Sequence, residues 1–156
     1  MKPILLSLCI IHQHPKILLG MKKRGFGKDL WNGYGGKLEL NETVEEAAKR
    51  ELKEESGVEA VDMVKRGILC FEFENDPVKL EVHVFYANDY VGELIETEEM
   101  KPKWFNVDEI PYDNMWSDDK YWLPLLLEKK KFAGSFIFNK DFQIVDYKLK
   151  EVEYFD

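Results

Sequence analysis

Hydrophobic and polar positions along the chain alternate in short runs, interrupted by polar turns and two stretches of longer period. Ile4 to Ile11 and Lys16 to Met21 are rich in β-branched and aliphatic residues. They flank His12-Gln13-His14-Pro15 and read as an opening β-hairpin. Arg24 to Asp29 carries two glycines and reads as a loop, and Asn32 to Leu38 sets Gly33, Gly35 and Gly36 around Tyr34, where the backbone must bend or lie close to another group. Thr43-Val44-Glu45-Glu46 has the Thr-x-x-Glu form of a capping box, which predicts a helix to Ser56 with Gly57 as its stop. Val64 to Glu74, Lys79 to Asn88 and Lys103 to Val107 read as further strands. Ser117 and Asp118 can cap a second helix over about Asp119 to Lys131, with Pro124 near its start or kinking it. Phe132 to Phe138 and Gln143 to Val152 close the chain as a strand pair. This order predicts an α+β fold in one domain spanning 1–156, without internal repeat or linker.

Helical periodicity over Val44 to Gly57 places Val44, Ala47, Ala48 and Leu52 on one apolar stripe, with Glu45, Glu46, Lys49 and Lys53 opposite. Glu51 and Glu55 lie four residues apart, so they project within roughly 40° of each other. They fall in the apolar stripe, with Glu54 at its edge. One reading is that these carboxylates emerge into solvent where the stripe ends. The other is that they are held inward by a cation, because crowded carboxylates removed from water repel each other. Magnesium, or manganese in its place, suits such oxygen donors. His12, His14 and His83 are scattered, so a zinc site has little support.

Composition narrows the classes. Lysine plus arginine number 22 against 30 aspartate plus glutamate, a net charge of −8. That balance argues against a surface that grips nucleic acid and favours free small molecules as partners. No stretch approaches the length of a membrane span, and the apolar start lacks a signal-peptide cleavage site. Cys9 and Cys70 sit in strand-like runs and read as free, buried thiols of a reducing, cytoplasmic compartment.

Gly36, then Glu42, then Arg50-Glu51-Leu52-Lys53-Glu54-Glu55-Ser56-Gly57-Val58 stand at the spacing of the Nudix box, and the chain resembles that family with no signature position substituted. Gly20 to Gly27, Trp31 to Lys37, Phe71-Glu72-Phe73, Trp116-Ser117-Asp118-Asp119 and Pro124 to Leu127 are similar to the animal MutT-homologue branch. The resemblance implies an α/β/α sandwich around a mixed sheet. It also implies magnesium-dependent conversion of 8-oxo-dGTP, 2-hydroxy-dATP and their ribonucleotide counterparts to monophosphate and pyrophosphate, by a monomer in the cytoplasm with a mitochondrial or nuclear fraction left open. By position, Glu51 and Glu55 would bind the metal, with the Gly36 carbonyl, Glu54 and Glu99 nearby. Arg50 would hold a box glutamate in its productive rotamer.

The same resemblance implies a base pocket. Asn32 offers a donor and an acceptor to a purine edge, and Asp118 with Asp119 can share a proton and suit two oxidised bases of different pattern. Read alone, those two aspartates are helix-start residues. Phe26, Phe71, Phe73, Trp116 and Trp122 are either core or pocket walls, and Lys22 is either a substrate contact or a solvated lysine. Ser7 stands where threonine is expected, Tyr34 for phenylalanine, and Leu80 for a pocket methionine. The Lys129 to Lys131 cluster is explained by a helix C-terminus. Two competing readings share the box: a Nudix hydrolase of dinucleoside polyphosphates or ADP-ribose, and a non-catalytic nucleotide sensor, which intact carboxylates disfavour.

Overall fold

In the computed structural model, which describes residues 2–155, nine strands form one mixed sheet and two more form a small second one. Met1 and Asp156 lie outside the described residues. The opening hairpin is β1 (Ile4–Gln13) and β2 (Lys16–Lys22), followed by the short β3 (Trp31–Asn32) and β4 (Tyr34–Lys37). Next come α1 (Val44–Ser56), β5 (Val58–Val61), β6 (Val64–Phe73), β7 (Asp76–Ala87), β8 (Asp89–Gly92) and β9 (Met100–Asn106). The chain ends with α2 (Asp119–Leu127), β10 (Lys131–Phe138) and β11 (Ile144–Val152). The main sheet runs β11-β10-β6-β7-β1-β2-β3, with β4 on β1 and β9 on β2. The β1–β7 and β10–β6 pairs are parallel and the others antiparallel, while β5 and β8 make the second sheet.

Side chains alternate across the central strands, as a pleated strand requires. Ile10, Ile17 and Leu19 enter one core with Trp122, Leu123 and Leu126 of α2. Cys9, Ile11 and Leu18 enter the other with Leu52 of α1. The sheet is therefore sandwiched between the helices, the α/β/α arrangement implied above. Burial pushes the Cys9 thiol up to about 12. Cys70 is half-buried, so the expectation of two buried thiols holds for Cys9 alone.

The α1 boundaries are those expected: Thr43 and Glu46 make both bonds of the capping box, and Gly57 stops the helix at φ 82°. The second helix is shorter than predicted. It stops at Leu127 because Lys129 takes a left-handed φ of 61°, its N–H donating to the Leu126 carbonyl and that of Lys130 to Leu125. This is a helix terminator built without the glycine that would announce it. The lysine cluster thus lies beyond the last helical turn, and Lys130 pairs with Glu128 and Glu151 instead. Strands β5 and β8, absent from the sequence reading, are only four residues each and too short to show a period. No helix is long and apolar enough to cross a membrane.

Candidate active site

The two packed layers bring the glycine segment against β1 and α1. At Gly35 an added Cβ would collide with the Ser7 carbonyl, so only glycine lets β4 pair so closely. At Gly36 a Cβ would come within 2.9 Å of the Glu51 carboxyl group. The backbone of β4 is thereby laid directly beside the carboxylates of α1.

Arg50 organises those carboxylates. Its Nε and Nη2 donate to the two Glu42 oxygens at 2.7 and 2.9 Å, and Nη1 donates to Glu51 at 2.9 Å and Glu54 at 3.2 Å. The guanidinium beside it holds Glu42 down at about 2. Glu55 is 7% exposed and accepts the Gly35 N–H at 3.1 Å. Burial first, and the Glu51 charge second, push Glu55 up to about 8 against the opposing Gly35 bond and Lys22 charge. Glu51 is also raised by burial, opposed by Arg50. Glu54 is mostly exposed at the edge. Glu99 is tied to Arg24 by bonds of 2.8 and 2.6 Å, although its charge still reaches Glu55.

Among the described residues, no three acidic or imidazole groups already converge as a closed metal cage. The donor set nevertheless fits a divalent cation: it consists of hard oxygens, and burial penalises the ionised form of Glu55 until a positive charge lies beside it. Glu51, Glu54, Glu55 and the Gly36 carbonyl are the groups that could hold it. Glu99 would first have to leave Arg24.

Next to the carboxylates opens a cavity of about 390 Å³. It is lined by Ser7, Lys22, Phe26, Asn32, Phe71, Phe73, Leu80, Trp116, Asp118, Asp119 and Trp122, and Gly36 and Glu55 border it too. All the residues proposed from sequence for substrate therefore meet in one space. Lys22 is half-buried in that wall rather than a solvated surface lysine. Ser7 Oγ is buried without a partner, an orphaned hydroxyl that a ligand could satisfy. Asn32 Nδ2 donates to the Leu30 carbonyl at 2.9 Å, which leaves its carbonyl oxygen and one amide hydrogen for a ligand.

Asp118 occupies the cap position of α2, but its side chain makes no capping bond. It accepts instead from Trp122 Nε1 at 2.7 Å, so the capping expectation is corrected. Asp118 and Asp119 are both nearly fully buried. Burial and the Asp118 charge raise Asp119 well above the carboxylate range, and Asp119 keeps a proton that it donates to Asp118. Trp122 belongs to the core as well as to the cavity wall. Sequence reasoning missed Met115, Phe138 and Phe142 among the lining residues. Phe138 sits on a predicted strand, whereas Phe142 lies in a turn with no periodic signal.

A carboxylate-bearing helix packed beside a glycine strand, over a cavity in a mixed sheet between two helices, is the Nudix arrangement; the NUDIX domain profile matches residues 5–126, and the chain belongs to the Nudix family. Among its curated relatives, the oxidized purine nucleoside triphosphate hydrolase of Danio rerio is 50% identical over 149 residues, covering 96% of each chain. That of Mus musculus is 49% identical over 151 residues, covering 97% of each. Among solved structures, a MutT protein from Bacillus halodurans superposes with a TM-score of 0.84 at 28% identity, covering 94% of this chain and 97% of that one.

Proposed function

We propose that this enzyme hydrolyses oxidised purine nucleoside triphosphates, 8-oxo-dGTP and 2-hydroxy-dATP with their ribonucleotide counterparts, to monophosphate and pyrophosphate, and so clears damaged precursors from the nucleotide pool. The observation that carries the reading is the single cavity that joins Asn32 and the proton-sharing Asp118–Asp119 pair to the Glu55 end of α1. The half-identity to curated hydrolases of oxidised purine triphosphates supports the same substrate class.

Magnesium, with manganese as a substitute, neutralises triphosphate charge and activates a water for in-line attack when bound at Glu51, Glu54, Glu55 and the Gly36 carbonyl. Arg50 keeps Glu51 and Glu54 in fixed rotamers, so little reorganisation remains when the substrate arrives. Lys22 brings a positive charge to the wall between the base pocket and Glu55. Asn32 reads one purine edge and the aspartates the other. Moving the shared proton changes their donor and acceptor pattern, which suits one pocket to both oxidised bases. The protein acts on free nucleotides as a cytoplasmic monomer, without nucleic acid or membrane as a partner.

The test is pyrophosphate release with magnesium from 8-oxo-dGTP, 2-hydroxy-dATP, dGTP and dATP, with a dinucleoside polyphosphate and ADP-ribose assayed for nucleotide products. Glu55→Gln serves as the inactive control. Fast turnover of the oxidised purines over the normal ones is expected, and cleavage of only the dinucleotide or ADP-ribose would overturn the pocket assignment. Across pH, the preference between the two oxidised bases should shift in the wild type and flatten in Asp119→Asn. A preference constant with pH in both proteins would end the shared-proton account.

A further inference from the structure

At the mouth of the cavity stands an aromatic ring carried by neither helix nor strand. Phe142 lies in the turn between β10 and β11 and lines the cavity. Its ring meets Phe26 edge-on at 5.5 Å and Trp116 edge-on at 5.6 Å, while Phe26 and Trp116 stack on each other at 4.9 Å. Phe26 is 63% exposed and Phe142 38%, so the three rings leave apolar surface open at the entrance. Asp118 and Asp119, by contrast, are buried inside.

The backbone that presents Phe142 has a φ of 59°, in the left-handed region that a bulky side chain adopts only when its surroundings impose it. Three contacts impose it here. The Phe142 N–H donates to the Asn139 carbonyl at 3.0 Å, and the Asn139 side chain accepts from the N–H groups of Asp141 and Gln143. Ser117 Oγ, one residue before the aspartate pair, donates to the Phe142 carbonyl at 3.0 Å. An asparagine or glycine would sit in this turn with less strain. The strained position carries the ring to the one place where a flat apolar ligand could cover it.

We propose that Phe142 is a substrate-binding residue that completes, with Phe26 and Trp116, a three-ring lip closing over the purine base. The lip sets affinity for the base rather than the rate of phosphate cleavage. This rests on the reading under Proposed function. Removing the ring withdraws a base-aromatic contact from the mouth while Glu51, Glu55 and Arg50 stay in place.

The experiment compares wild type with Phe142→Gly, Phe142→Tyr and Ser117→Ala in steady-state hydrolysis of 8-oxo-dGTP with magnesium. Calorimetric binding of the monophosphate product and thermal melting complete the comparison. Phe142→Gly should raise KM and the product Kd about fivefold or more, with kcat within about twofold. Its melting temperature should hold or rise, because glycine relieves the left-handed φ. Phe142→Tyr should restore both constants, and Ser117→Ala, which frees the turn without touching the ring, should weaken binding in the same direction. KM and Kd within about twofold of wild type in both Phe142→Gly and Ser117→Ala, with the wild type active, would overturn the lip alone. A wild type that neither turns over nor binds the oxidised purine would instead remove the functional reading beneath it.

Discussion

Glu55 is the residue on which the site's electrostatics turn. Its carboxyl group is buried beside Glu51 and pushed up to about 8 from an ordinary 4.5. A carboxyl with a raised folded-state pKa gives the folded state full benefit below the unfolded value and loses it as pH rises through the folded one. Metal-free wild type should therefore lose stability between about pH 4.5 and pH 8 through this group, on the order of a few kcal/mol. Glu55→Gln, which has no charge to bury, escapes that loss. Thermal melting in chelator should show the variant gaining on wild type steadily across that window, and a difference independent of pH would contradict the burial argument. The same residue explains why a cation belongs here, since a positive charge beside Glu55 offsets what burial withholds.

At the scale of elements, the decisive contact is the glycine strand β4 lying between β1 and α1. Two adjacent glycines have different duties there. A Cβ on Gly35 meets the backbone of Ser7 and Leu8, which cannot rotate away. A Cβ on Gly36 meets only the flexible end of Glu51. Gly35→Ala should accordingly destabilise the fold by about 2–4 kcal/mol or more, whereas Gly36→Ala should fold within about 1 kcal/mol of wild type. Gly36→Ala should still lose about tenfold or more in turnover, because the displaced carboxylate no longer sits where it can hold the metal. Chemical denaturation and kinetics on the same two preparations separate the cases, and equal losses of stability in both would refute this division.

Across the whole molecule, the two cores are the two faces of the same strands. Ile10 and Cys9 are neighbours in sequence, yet they pack into different cores, one under α2 and one under α1. Neither layer can come apart without stripping the shared sheet, so unfolding should be a single transition with coincident fluorescence and circular-dichroism curves. Leu52→Ala in one core and Leu126→Ala in the other should each lower the stability of that one transition by about 2–5 kcal/mol. Two separable transitions in either variant would show the layers to be independent. The cavity depends on this coupling as well, since Glu55 comes from one layer and Asp118, Asp119 and Trp122 from the other.

Local interactions explain what could be read without the fold. The α1 limits, its capping box and the inward-facing Glu51 and Glu55 follow from 3.6-residue periodicity and from bonds between residues three or four apart. The opening hairpin follows in the same way from alternation and a proline turn. The spacing of the box led to the metal carboxylates and to Arg50 for the same reason, since all of them ride on one helix. Non-local contact decided the rest. The end of α2 depends on a left-handed Lys129 that no glycine announces, and β5 and β8 exist only because they pair with each other across about thirty residues. Only burial from both sides makes Asp118 and Asp119 share a proton, because the capping role that the sequence suggests for Asp118 assumes solvent at a helix start. Phe142 reaches the purine pocket through a strained turn whose geometry is imposed by Ser117 and Asn139, and no periodicity along the chain encodes such a contact.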